Sequence, residues 1–250
     1  MTEIAEAKNN SFIKELFEAG AYIGYSRARR HPKMRDFVFG MRNNIEIIDL
    51  EISEKKINEA CEFLKNLGKE NKTLLIVGTK PNIQNYVKDM GVFLSMPYVS
   101  DRWLGGTLTN FKILSGRVAF LHKLEEEEKS GGFDKYTKKE KMLMKFKLGK
   151  LRNMFEGLRN LKSIPDTLII VDPRQEQTAF FEAQKKNIPI IALMNIDFSP
   201  ENIKYPIPLN HNSKKAVSLV LERLQKSYDE GRKLPREEAA VSQVKLTNTK

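Results

Sequence analysis

A single cysteine, a single tryptophan and three histidines stand among the 250 residues. One cysteine cannot pair with itself, so a disulfide scaffold is excluded, and a thiolate zinc site goes with it. His31, His122 and His211 are scattered, and no H-E-x-x-H occurs. No apolar run approaches the ~18 residues of a membrane helix; the longest, such as Leu168–Val171 and Ile188–Met194, have the length of strands. Met1–Asn10 carries acids and amides with no apolar stretch, so no secretory leader is expected. Catalytic signatures are missing too. Gly105-Gly106 lacks the spacing of a pyrophosphate turn, Gly78-Thr79-Lys80 resembles only the end of a phosphate loop in the wrong order, and there is no G-x-S-x-G. These absences predict a soluble protein of a reducing compartment, without metal or cofactor.

Negative charge is also short. Forty-three Lys and Arg face thirty-two Asp and Glu, a net charge of +11. With a sequence pI near 9.5, a polyanionic partner is expected, most often nucleic acid. The surplus is concentrated. From Arg27 to Arg42 six basic residues (Arg27, Arg29, Arg30, Lys33, Arg35 and Arg42) stand against Asp36 alone, and from Lys112 to Lys162 fourteen stand against seven acids. Two such segments read as two phosphate-contacting surfaces, because a purely solubilising charge would be scattered with mixed signs.

Forty per cent of the residues are hydrophobic, enough for a core. Phe37–Leu50 reads as a hairpin turning at Asn43-Asn44. Ile57, Ala60, Cys61, Leu64 and Leu67 follow the spacing of one helical face, which Gly68 is expected to end; Cys61 in that stripe reads as a small core residue. Thr73–Gly78 is continuously apolar, as strands buried on both faces are. A helix is expected from Pro81, ended by Gly91, then a weak strand at Pro97–Val99. Thr167–Val171 and Pro189–Met194 read as strands flanking a helix, and a last helix is expected over Ser213–Tyr228. Strand–helix alternation predicts an α/β fold with a parallel sheet.

About sixty residues interrupt that rhythm. Phe111, Leu114, Val118, Leu121 and Glu125 step by three and four, and so do Met144, Leu148, Leu151, Phe155 and Leu158. Separated by Ser130-Gly131-Gly132, they predict an antiparallel helical hairpin with a coiled-coil seam, projecting as a basic arm. The expected divisions are an N-terminal helix and basic arm over 1–36, an α/β domain over 37–106 and 164–228, the hairpin over 107–163, and a mobile tail over 229–250.

Asp172, at the end of an apolar strand, stands where α/β enzymes keep an acid. The local pattern favours a capping box instead, with Asp172 as N-cap, Pro173 at N1 and Gln175 at N3. Trp103 could stack on a base or anchor the root of the hairpin.

The block Asp101-Arg102-Trp103-Leu104-Gly105-Gly106-Thr107-Leu108-Thr109-Asn110-Phe111 resembles the signature of the bacterial small-subunit ribosomal protein S2 family. Pro32-Lys33-Met34, Phe37–Asn43, Ile47–Leu50, Val77–Lys80, Val171–Arg174 and Tyr205–Pro208 fit the same family in the same order. The resemblance runs from about residue 11 to 228. It implies a Rossmann-like domain with an inserted coiled-coil hairpin, on the back of the small subunit between head and body. Implied partners are ribosomal RNA, neighbouring small-subunit proteins and ribosomal protein S1, in the cytoplasm, with no membrane contact and no catalysis. RNA-contact candidates are Arg27, Arg29, Arg30, Lys33, Arg35, Arg42, Arg102, Lys112, Arg117, Lys138, Lys139, Lys145, Lys150 and Arg152. Structural candidates are Trp103, Gly105, Gly106, Asp172 and Pro173. The chain departs from the family pattern at Tyr22 and Tyr25, where histidines are usual, at Arg30-His31 before Pro32, and over Leu209–Ser213. The reading that competes is an α/β enzyme acting on a nucleotide or phosphosugar; a non-ribosomal RNA scaffold is a third.

Overall fold

The computed structural model describes residues 11–132 and 137–234. Five strands form one parallel sheet: β3 (Leu74–Val77), β4 (Tyr98–Val99), β5 (Thr167–Val171), β6 (Ile190–Met194) and β7 (Tyr205–Pro208), in the spatial order β4-β3-β5-β6-β7. A separate antiparallel ribbon pairs β1 (Val38–Arg42) with β2 (Ile45–Ile48). Asn43 and Asn44, at φ 49° and 61°, make its turn, the left-handed pair that a two-residue hairpin requires.

Side chains alternate across the sheet, and both faces are buried. Leu74, Ile76, Ile169, Val171, Ile191 and Leu193 enter one core with α1 (11–18), α2 (Leu50–Lys69), α3 (Gln84–Leu94) and α7 (Lys214–Lys233). Leu75, Val77, Leu168, Ile170, Ala192 and Met194 enter the other, with α6 (Gln177–Lys185) and the inner ends of α4 (Phe111–Lys129) and α5 (Lys138–Phe155). Double coverage explains why these strands read as unbroken apolar runs.

Several boundaries differ from expectation, each for a packing reason. Gly68 does not end α2. It lies inside the helix where α7 crosses, and a Cβ there would collide with the Tyr228 carbonyl, as one at Gly231 would with that of Lys65. Gly91 does not end α3, which runs to Leu94 and closes on Ser95 at φ 56°; Gly91 makes room for the Tyr98 ring. The last helix continues past Tyr228 to Lys233, and residues 235–250 of the expected tail lie outside the described residues. Tyr228 is fully buried in α7, donates to the Lys72 carbonyl at 2.7 Å, and has its phenol pushed up to about 12 by burial. Strand β7, not expected from the sequence, carries Pro206 and Pro208. It pairs only with β6, the edge position where a residue without an N–H is tolerated.

The two helices of the insertion are present. Leu114, Val118, Leu121, Leu148, Phe155 and Leu158 are buried in the second core. Lys138–Lys147, the outer half of α5, has no buried residue, so the seam is confined to the base. Glu125, expected to continue the stripe, instead receives Arg152 at 2.8 Å and Arg159 at 2.9 Å. Arg152 is the first cause holding the Glu125 carboxyl below its ordinary range. Among the described residues no helix is long and apolar enough to cross a membrane.

Candidate nucleic-acid interface

The first basic segment folds as two short 3-10 turns, Arg27–Arg29 and Pro32–Phe37, leading into β1. His31 N–H holds the Ile196 carbonyl at 2.8 Å, and Met34 is fully buried as the anchor. Three of the cations face acids distant in sequence. Arg29 pairs with Asp197 at 3.0 Å, Arg30 with the buried Glu46 at 2.7 Å, and Lys33 with Glu201. Arg27, Arg35 and Arg42 are exposed and make no ion pair among the described residues.

In the insertion Lys112, Arg117, Lys138, Lys139, Lys145 and Lys150 are exposed and likewise unpaired among the described residues. The Lys150 ammonium lies 4.4 Å from the centre of the Phe146 ring. Arg152 is spent internally, bridging Glu125 and Glu128 at 2.8 and 2.7 Å. Arg102 is exposed beside a 290 Å³ recess at the hairpin root.

The signature block has a partner that sequence reasoning missed. Trp103 is buried, and its indole donates to Glu182 of α6 at 3.1 Å. The same carboxylate accepts the N–H groups of Gly106, Leu108 and Thr109 at 2.7, 2.9 and 3.1 Å, and the Thr109 hydroxyl at 3.1 Å. Burial pushes Glu182 upward, but these hydrogen bonds outweigh it and hold the carboxyl below its ordinary value. Gly105 is exposed at the tip of this turn.

A parallel sheet in this strand order has its switch point between β3 and β5, the usual ligand crevice of such folds. Here the chain itself fills it. Lys80 reaches Asp172 at 2.5 Å, His211 Nδ1 at 2.9 Å and Asn212 at 3.0 Å. Asp172 is not the expected helix cap. It sits at φ 64°, its carboxylate accepts from the Arg174 and Gln175 N–H groups, and Pro173 lies in that turn. Helix α6 begins only at Gln177, after Glu176, which accepts from the N–H and hydroxyl of Thr79. His211 is buried, which lowers its pKa below 6.5 despite the nearby Asp172.

Two of the departures from the family pattern, Tyr25 and the Leu209–Ser213 stretch, meet here. Tyr25 lies under the Arg29 guanidinium at 3.9 Å, accepts from Asn212 at 2.9 Å and tilts against the His211 ring.

The sequence model of the family "Ribosomal protein S2" matches residues 16–231. The chain belongs to the ribosomal protein S2 family. It is 42% identical over 227 residues to "Small ribosomal subunit protein uS2" of Dictyoglomus turgidum, covering 91% of this chain and 92% of the relative. The protein of the same name from Dictyoglomus thermophilum is 41% identical over the same coverage. S2 proteins are structural components and not enzymes, which sets aside the nucleotide-enzyme reading. In this S2 chain the crevice of the α/β fold is closed by Lys80, Asp172 and His211, and its free cations lie elsewhere.

Proposed function

We propose that the chain is a structural constituent of the small ribosomal subunit, holding ribosomal RNA and neighbouring proteins in the cytoplasm. The observation that carries this reading is the division of the basic residues. Arg29, Arg30, Lys33 and Arg152 hold the protein's own acids. Arg27, Arg35, Arg42, Lys112, Arg117, Lys138, Lys139, Lys145 and Lys150 are left exposed on the two basic segments, and Arg102 is exposed at the hairpin root. Cations without protein partners, fixed to a rigid body, lose little entropy when they meet phosphates, and such contacts set position more than they read bases. The hairpin is the arm and the β1–β2 ribbon the nearer contact. Protein contacts have their own support: Phe17, Phe39 and Ile45 are exposed around an apolar recess of 700 Å³ between α1 and the ribbon. Ribosomal protein S1 is proposed as one such partner, as the family resemblance implies.

Sedimentation tests the reading. The full chain added to small subunits stripped of their S2 protein should travel with them through a gradient in low salt and detach as salt rises. A chain that stays at the top of the gradient at every salt concentration would overturn it.

A further inference from the structure

The ribbon carries a second recess, on the side away from the apolar one. It measures about 320 Å³ and is lined by Arg27, Arg30, Arg35, Val38, Gly40, Met41 and Glu46. Arg27 and Arg35 converge on it from the two 3-10 turns, and Arg30 from the extended link between them. Arg30 is fixed there by Glu46, whose second carboxylate oxygen is buried without a partner, so the ion pair sets the guanidinium in place before any ligand arrives. Arg27 and Arg35 have no anion among the described residues. With one carboxylate against three guanidiniums, the recess keeps an excess of two positive charges.

The floor is as informative as the rim. Gly40 lies in β1 next to an irregularity in the pairing, and an added Cβ would meet nothing within 4 Å. Its φ is not in the left-handed region, so backbone geometry does not demand glycine. The protein uses that space for nothing of its own. Val38 and the exposed Met41 flank it as an apolar surface.

We infer that this recess seats one nucleotide of an unpaired RNA segment, its phosphate between Arg27 and Arg35 and its sugar and base over Gly40 and Met41. Three features favour a single strand over a helix. The volume is at the lower end of small-ligand sites; arginine forks grip phosphate bidentately and stack on bases; and an apolar floor has nothing to contact on a duplex whose bases face inward. The inference rests on the proposed RNA-binding function and specifies the form of RNA taken.

The test uses the full chain and two labelled RNAs, a single-stranded octamer and a duplex of equal length, followed by fluorescence anisotropy across a salt series. Arg27→Gln with Arg35→Gln should weaken single-strand binding about tenfold or more, the loss expected of two charge-assisted contacts. It should also flatten the slope of log K against log salt by about 0.7, the value for the one single-strand phosphate the two arginines share. Gly40→Leu should weaken single-strand binding with an unchanged melting temperature and unchanged duplex binding, since its side chain occupies space the protein leaves empty. Undiminished octamer binding by Gly40→Leu overturns the inference, as does an equal loss on both RNAs. Sedimentation of the same variants keeps the two readings apart. If the parent travels with stripped subunits while the octamer result is negative, the recess is wrong and the ribosomal reading stands. If the parent does not travel with subunits, the ribosomal reading fails on its own account.

Discussion

The indole N–H of Trp103 donates to the carboxylate of Glu182 at 3.1 Å, joining residues 79 positions apart in the chain. Four further donors, from Gly106, Leu108 and Thr109, converge on the same group. The glycine-rich loop at the root of the hairpin is therefore shaped around one anion on α6.

Glu182→Gln should be costly even though it is nearly isosteric. An amide offers one acceptor oxygen and turns its NH₂ toward donors, leaving buried N–H groups unmet, at about 3 kcal/mol in all. The parent should also lose stability in acid. A carboxyl whose folded pKa is depressed contributes above its unfolded pKa, near 4.5, and loses that contribution as pH falls through the folded value. Urea melts from pH 6 to pH 3 should show a shallower decline in the variant; parallel curves would show that the Glu182 charge is not what the loop needs.

Asp172→Asn tests the filled crevice. Asn tolerates the left-handed backbone and can accept from the Arg174 and Gln175 N–H groups, but Lys80 loses its counter-charge. A half-buried pair lies between the surface and interior limits, so the expected cost is about 2 kcal/mol. Incorporation into subunits should persist. A folded variant that incorporates normally yet abolishes ribosome function would assign chemistry to Asp172.

His211 gives the protein a pH dependence of opposite chemistry and the same sign. Burial keeps it neutral in the folded chain, while the unfolded chain takes up a proton near 6.5. The unfolded state thus binds more protons as pH drops, and stability falls below about pH 6.5, by at most about 1.4 kcal/mol per pH unit. His211→Gln should remove that component between pH 7.5 and 5.5. An unchanged slope would mean that His211 is protonated when folded.

The hairpin should be separable, at a boundary inside the one expected from the sequence. Thr107, Leu108, Phe155, Leu158 and Leu161 are buried with the sheet or its loops. Replacing 107–163 by a Gly-Ser link removes these and should unfold the body, whereas replacing 122–147, where none of the described residues is buried, should leave the α/β circular dichroism and a cooperative melt intact. If the shorter replacement also unfolds, the arm is part of the core throughout.

What the sequence makes legible follows from range. The central strands, Leu74–Val77, Thr167–Val171 and Ile190–Met194, are read directly because burial on both faces leaves no polar alternation. The Asn43-Asn44 turn is local chemistry and is equally readable. Glu182 was invisible: nothing along α6 marks it, and its donors lie more than seventy residues away. The arginine segment was legible as charge but not as geometry, since Asp197, Glu201 and Glu46 come from other elements. Arg29→Ala with Arg30→Ala, which charge alone suggests should leave stability unchanged, instead strands the buried Glu46 carboxylate. Asp172-Pro173 misled because a capping pattern and a left-handed turn draw on the same residue type.

The crossing of α2 and α7 at Gly68 and Gly231 imposes an order in time. Ribosomes make this chain from its N-terminus, so α2, α3 and β3 emerge long before the helix that covers them, by roughly ten to thirty seconds at ordinary synthesis rates. Through that interval Ile57, Leu64, Leu74 and Val87 have no Val217, Val220, Leu221 or Leu224 to pack against. A nascent chain halted at Ser213 is expected to remain sticky and protease-sensitive, and one extended through Lys233 to become resistant. Completion of the last helix thereby acts as a checkpoint on synthesis, converting the arrival of one late segment into the solubility of everything made before it.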